Sequence, residues 1–191
     1  MTAYARVRAG LLALLLGHTL FTGAADARAQ AAVSASVTVL VVPTTGAGVR
    51  AMDFGTVPLG GTVSRTLTAF ADSNATGIGH FNFTGINGNR DVQLTFDFPT
   101  VLTHPASGNT MPISFNGSHG LYCFNRNSGA HACTLFNPSP GGADPSVILI
   151  NPPAPPRNGT FRVYLGGSVT APASLAAGTY QGVITLTLVR P

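Results

Sequence analysis

The chain has 191 residues, 45% of them apolar and only 8% charged, and it contains no Lys, Glu or Trp. High apolar content with low charge is the reverse of the disorder signature. The arginines are scattered singly rather than clustered over a phosphate track, which excludes the basic patch that nucleic acid requires, and a phosphate-binding loop ending in Lys is impossible.

In chain order, the first feature is a leader. Arg6 and Arg8 make a positive start, and Ala9 to Phe21 is an apolar run of 13 residues. Ala25-Asp26-Ala27 and Ala27-Arg28-Ala29 then supply small residues at the spacing a signal peptidase reads. This layout predicts a secretory signal over residues 1–29, cut after Ala29, with Ala27 as the alternative. The apolar run is shorter than the roughly 20 residues that span a bilayer, and no transmembrane segment follows. Residues 30–191 are then one domain of 162 residues, folding outside the cytoplasm. Its 7 Arg against 5 Asp leave a net charge of +2.

Period-two alternation dominates the rest. Val33, Ala35, Val37, Val39 and Val41 alternate with Ser34, Ser36, Thr38, Leu40 and Val42, giving a strand that Pro43 ends. After the turn Pro58-Leu59-Gly60-Gly61, Thr62 to Phe70 reads as a second strand. His80 to Thr84 is a short strand with both Phe residues on one face, followed by the hairpin dipeptide Asn87-Gly88. Val92, Leu94, Phe96 and Phe98 mark a strand that stops at Pro99, and Met111, Ile113 and Phe115 mark another. Residues 116–157 are irregular and insert-like, and the Pro-rich piece 151–156 cannot be a central strand. Regularity returns at Phe161, Val163 and Leu165, and Thr179 to Val189 is the longest clean strand, with Tyr180, Gly182, Ile184, Leu186 and Leu188 on one face. Apart from the leader, Ala173 to Ala177 offers at most one helical turn. Short strands separated by turns in this way predict an all-β sandwich or barrel.

Few residues suggest chemistry. Cys123 and Cys133 enclose CFNRNSGAHAC, which in an oxidising compartment reads as a disulfide. The competing reading is a metal site completed by His119 or His131, but the spacing fits no zinc-finger pattern. The five Asp residues of the mature chain show no pairing suited to a glycosidase. There is no Gly-x-Ser-x-Gly elbow and no His-x-x-x-His spacing, so a secreted hydrolase has no constellation behind it. No cofactor is expected. Four Asn-x-Ser/Thr triplets, at Asn74, Asn82, Asn116 and Asn158, arise by chance in so Asn- and Thr-rich a chain.

Several glycine-anchored pieces act together: Phe54-Gly55 before Gly60-Gly61-Thr62-Val63, Phe81 and Phe83 before Gly85, Gly108 to Met111, and Phe161 to Gly167. They lead to Ala176-Ala177-Gly178-Thr179-Tyr180-Gln181-Gly182 and the alternating final strand. In order and spacing this resembles a bacterial family of secreted domains catalogued as domain-of-unknown-function 4402. The closing motif also resembles subunits of chaperone–usher fimbriae and spore-coat-U-type pilins. The resemblance covers roughly residues 40–115 and 158–190 and leaves 116–157 outside it. It implies an immunoglobulin-like, pilin-like antiparallel β-sandwich exported to the bacterial periplasm or cell surface.

Two functional expectations follow. The first is a secreted, non-enzymatic structural or adhesive protein. Its partners would be copies of itself or related subunits in a homo- or hetero-polymer, with a periplasmic chaperone as a further partner. The candidate assembly strand is Val33, Ala35, Val37, Val39 and Val41, which either pairs within its own domain or joins a neighbour's sheet edge. The alternative is a ligand- or glycan-binding module using Tyr122, Phe124, Arg126 and Phe136 around the cysteine loop.

Overall fold

The computed structural model describes residues 28–39, 45–86, 91–125, 131–142, 145–150 and 159–189. Residues 1–27, Val41, Asn87-Gly88, Arg126 and the Pro-rich piece lie outside the described residues.

The described chain is built from strands and two short 3-10 helices. The strands are β1 (Arg28–Val39), β2 (Thr45–Arg50), β3 (Met52–Pro58), β4 (Thr62–Arg65), β5 (Gly79–Ile86), β6 (Val92–Asp97), β7 (Val101–Thr103) and β8 (Thr110–Ser114). They continue as β9 (Gly120–Asn125), β10 (His131–Phe136), β11 (Ser146–Ile150), β12 (Gly159–Leu165), β13 (Gly167–Thr170) and β14 (Gly178–Val189). One sheet runs β11-β6-β14-β7-β8-β13-β4, with β1 joining β14 to β3; the other runs β10-β9-β12-β5-β2. The result is the expected all-β sandwich.

Alternation explains the core. Along β14, Tyr180, Ile184, Leu186 and Leu188 are buried, and β6 buries Val92, Leu94 and Phe96 in the same way. Across from them, the second sheet contributes Phe81, Phe83, Phe124, Phe161, Val163 and Leu165. The two sheets meet through aromatic contacts such as Phe96 on Phe136, with ring centroids 5.9 Å apart. Each large ring buried in this way stabilises the fold by roughly 1.5–3 kcal/mol.

Two glycines are demanded by the backbone. Gly55 has φ +67°, and its N–H donates to Asp53 Oδ1 at 2.7 Å, so β3 bulges beside β1. At Gly166 a Cβ would lie 1.8 Å from the Arg65 carbonyl oxygen, so only glycine lets β12 turn into β13 past β4.

Three expectations need correction. The second strand ends at Arg65 rather than Phe70. The Asp72 carboxylate accepts hydrogen bonds from the Thr68 N–H and hydroxyl, each at 2.6 Å, and from the Ala69 N–H at 2.9 Å. Those bonds draw the chain out of the sheet and into a 3-10 helix at Phe70–Asn74. The middle region is not irregular, since it holds β9, β10 and β11. The first strand spans Arg28–Val39 and so begins within the stretch read as leader.

Candidate functional site

The candidate assembly strand pairs within its own domain along both of its edges. Ala29 to Val39 runs parallel to β14, and Arg28 to Val33 runs antiparallel to β3. Val33, Ala35, Val37 and Val39 stand in register with Gly182, Ile184, Leu186 and Leu188, the apolar row of β14. In its sheet β3 pairs with nothing but β1 among the described residues. Removing β1 would therefore leave two open edges, one strand-width apart. Beside this slot, Thr103, Pro105, Gln181, Gly182 and Val183 line a shallow, mainly apolar cleft of ≈ 390 Å³.

Cys123 and Cys133 face each other directly across β9 and β10 and are joined, with 4.1 Å between their Cα atoms. With both sulfurs in that bond, neither is a thiolate that could hold a metal. Among the described residues no group of three His, Cys or Asp gathers into a potential metal site.

The aromatic residues expected at a ligand loop do come together, but in the interior. Phe124 is 2% exposed, and half-buried Tyr122 and Phe136 pack against the same core cluster. Tyr122 lies 5.8 Å from Phe124 and 5.9 Å from Phe136, centroid to centroid. Alternation along β9 sends these rings inward while Leu121 and Cys123 take the other face.

One arrangement imitates a catalytic relay. His119 Nε2 lies 3.3 Å from Ser168 Oγ, which lies 2.7 Å from Ser64 Oγ. Burial lowers the His119 pKa and keeps the ring neutral. The Asn116 N–H donates to Nδ1 at 2.9 Å, so the ring proton sits on Nε2. Nε2–H therefore donates to Ser168. A nucleophilic serine needs the opposite polarity, with the imidazole receiving its proton. This relay ties β13 to β4 and to the turn at His119.

Sequence reasoning missed a polar strip on the outer face of the second sheet. On β5, His80, Asn82 and Thr84 alternate with the buried Phe81 and Phe83; on β12, Thr160, Arg162 and Tyr164 alternate with Phe161 and Val163. The ladder sets Tyr164 opposite His80, and Arg162 opposite both Asn82 on β5 and Cys123 on β9. Arg50, opposite His80 on β2, donates to the carbonyls of Ile78 (2.7 Å) and Ser73. The strip's sequence signal was the polar half of the His80–Thr84 alternation, which is easily taken for ordinary solvent-facing residues.

No protein-family model matches the chain, and no curated protein matches it. Among the described residues no helix is long and apolar enough to cross a membrane.

Proposed function

We propose that this chain is a secreted, non-enzymatic structural or adhesive subunit, pilin-like in design, that assembles with copies of itself or related subunits at the bacterial cell surface. The observation that carries the reading is the slot filled by β1. An N-terminal strand held between β14 and β3 supplies backbone ladders on two sides, yet it reaches the rest of the domain through a single connection. A strand of that kind is exchangeable. The same segment of a neighbouring subunit would meet the same open edges and the same apolar row, with backbone bonds giving affinity and alternate side chains giving register. The leader-like residues 1–29 and the disulfide support export to an oxidising compartment, and a periplasmic chaperone would protect the slot before assembly.

The test uses residues 30–191, a version lacking 30–42, and a synthetic peptide of 30–42. Sedimentation should show concentration-dependent assembly of the longer protein and none of the shorter one. The peptide should bind the shortened protein and raise its melting temperature. A longer protein that stays monomeric at every concentration, with a shortened protein that ignores the peptide, would refute the proposal.

A further inference from the structure

The outer strip of β5 and β12 plays no part in strand exchange, and its chemistry points elsewhere. It carries the cation Arg162 at its centre. Among the described residues Arg162 has neither a hydrogen-bond partner nor a carboxylate partner. A second guanidinium, Arg50, is turned aside onto backbone carbonyls at one end. On the same face, His80 Nε2 and Asn82 Oδ1 are closed off from solvent with no partner. Each such unmade bond costs about 1–3 kcal/mol. Two of them beside an unpaired Arg, two residues apart on one strand, are binding capacity left unused. Rotating the Asn82 amide would turn its NH₂ toward an anion held by Arg162, and a neutral His80 offers a ring N–H.

The geometry points to one kind of ligand: we propose that this strip binds an acidic saccharide. Arg162 takes its carboxylate or sulfate group, and Asn82, His80, Thr84 and Thr160 take its hydroxyls. Three features favour that ligand. Three successive outward positions on a strand span about 13 Å, well beyond one small oxyanion. The flanking groups are uncharged donors and acceptors, suited to hydroxyls. Both strands are paired on each side, β5 by β12 and β2, and β12 by β9 and β5. An acidic peptide that docks by adding a strand finds no open backbone here. The disulfide beside Arg162 and the ring of Tyr164 beneath His80 fix the platform.

Calorimetric titration of the disulfide-bonded protein tests the assignment with four probes: a uronic-acid tetrasaccharide, its carboxyl-reduced neutral form, sodium sulfate and an oligo-aspartate peptide. The acidic saccharide should bind, and the neutral form should bind at least about tenfold more weakly, the scale of one charge-assisted contact. Arg162→Gln should weaken binding about as much, with Arg162→Lys in between and melting temperatures unchanged. Thr84→Val with Thr160→Val should weaken the saccharide but leave sulfate alone. The assignment fails if the neutral form binds equally, if Arg162→Gln is silent, or if the peptide binds more tightly. It also fails if sulfate competes as well as the saccharide, which would make the strip an adventitious ion site only.

Discussion

The imidazole of His80 lies flat against the phenol of Tyr164, with ring centroids 4.5 Å apart and planes 16° apart. Burial, then the nearby charges of Arg162 and Arg50, lower the His80 pKa from 6.5 to about 4. The unfolded chain keeps the ordinary value. Above pH 6.5 the ring is neutral in both states and its contribution is complete. Between pH 6.5 and about 4 the unfolded state takes a proton that the folded state refuses, so stability falls as pH drops. Below about pH 4 the loss levels off. His119 is shifted the same way by burial, whereas Asp72 loses its contribution only below its ordinary value of 3.8. Melting curves from pH 7.5 to 4.5 should therefore slope downward toward acid, and His80→Gln should flatten part of that slope. A variant as acid-sensitive as the parent would refute the assignment.

Arg50 fastens the 3-10 helix to the sheet. Its guanidinium reaches the carbonyls of Ile78 and Ser73 over the segment that covers Leu121 and Tyr164. Arg50→Met should cost about 2–4 kcal/mol, from charged hydrogen bonds worth ~1.5–3 kcal/mol each with partial rescue by water. Hydrogen exchange should speed up at residues 70–78 before it does in β14. Uniform loss of protection would mean that Arg50 supports the whole fold instead.

Removing the disulfide should weaken the protein without unfolding it. The Cys123–Cys133 bond closes a short loop within one hairpin, so its loss costs about 3 kcal/mol in the chain-entropy model. The main apolar cluster does not depend on it. Urea unfolding of Cys123→Ser with Cys133→Ser should show a lower midpoint and an unchanged slope.

The edge strand β11 invites unwanted pairing. It pairs only with β6 among the described residues, carries no charge, and exposes Val147 (54%) and Leu149 (62%). Uncharged apolar edges template aggregation. Val147→Lys with Leu149→Lys should raise solubility and lower light scattering while the melting temperature stays within ~1 °C, since exposed changes of this kind are nearly neutral. If the same variant abolished ordered assembly, β11 rather than β1 would be the subunit contact.

Much of the architecture was readable wherever one face of a strand is wet. The row Tyr180, Ile184, Leu186 and Leu188 alternates cleanly because β14 has a solvent side, and so does Phe81 with Phe83 on β5. β9 escaped because it is covered on both faces: Leu121 and Cys123 lie under Leu67 and Tyr164, while Tyr122 and Phe124 enter the core. A doubly buried strand loses its polar half, and with it the period-two signal. β2 escaped because the glycines of TGAGVR weaken any strand preference. The polar strip was illegible for another reason. Its residues come from strands about eighty positions apart, and only the β5–β12 ladder brings Asn82 opposite Arg162.

The parallel register of β1 on β14 has a mechanical consequence. The chain enters β1 at the Ala29 end and leaves β14 at the Val189 end, which are opposite ends of the pair. Tension between the two termini therefore slides the strands lengthwise instead of peeling them apart. All eleven registered positions from Ala29 to Val39 share the load at once, which is how a tether at a surface under flow would need to be fastened.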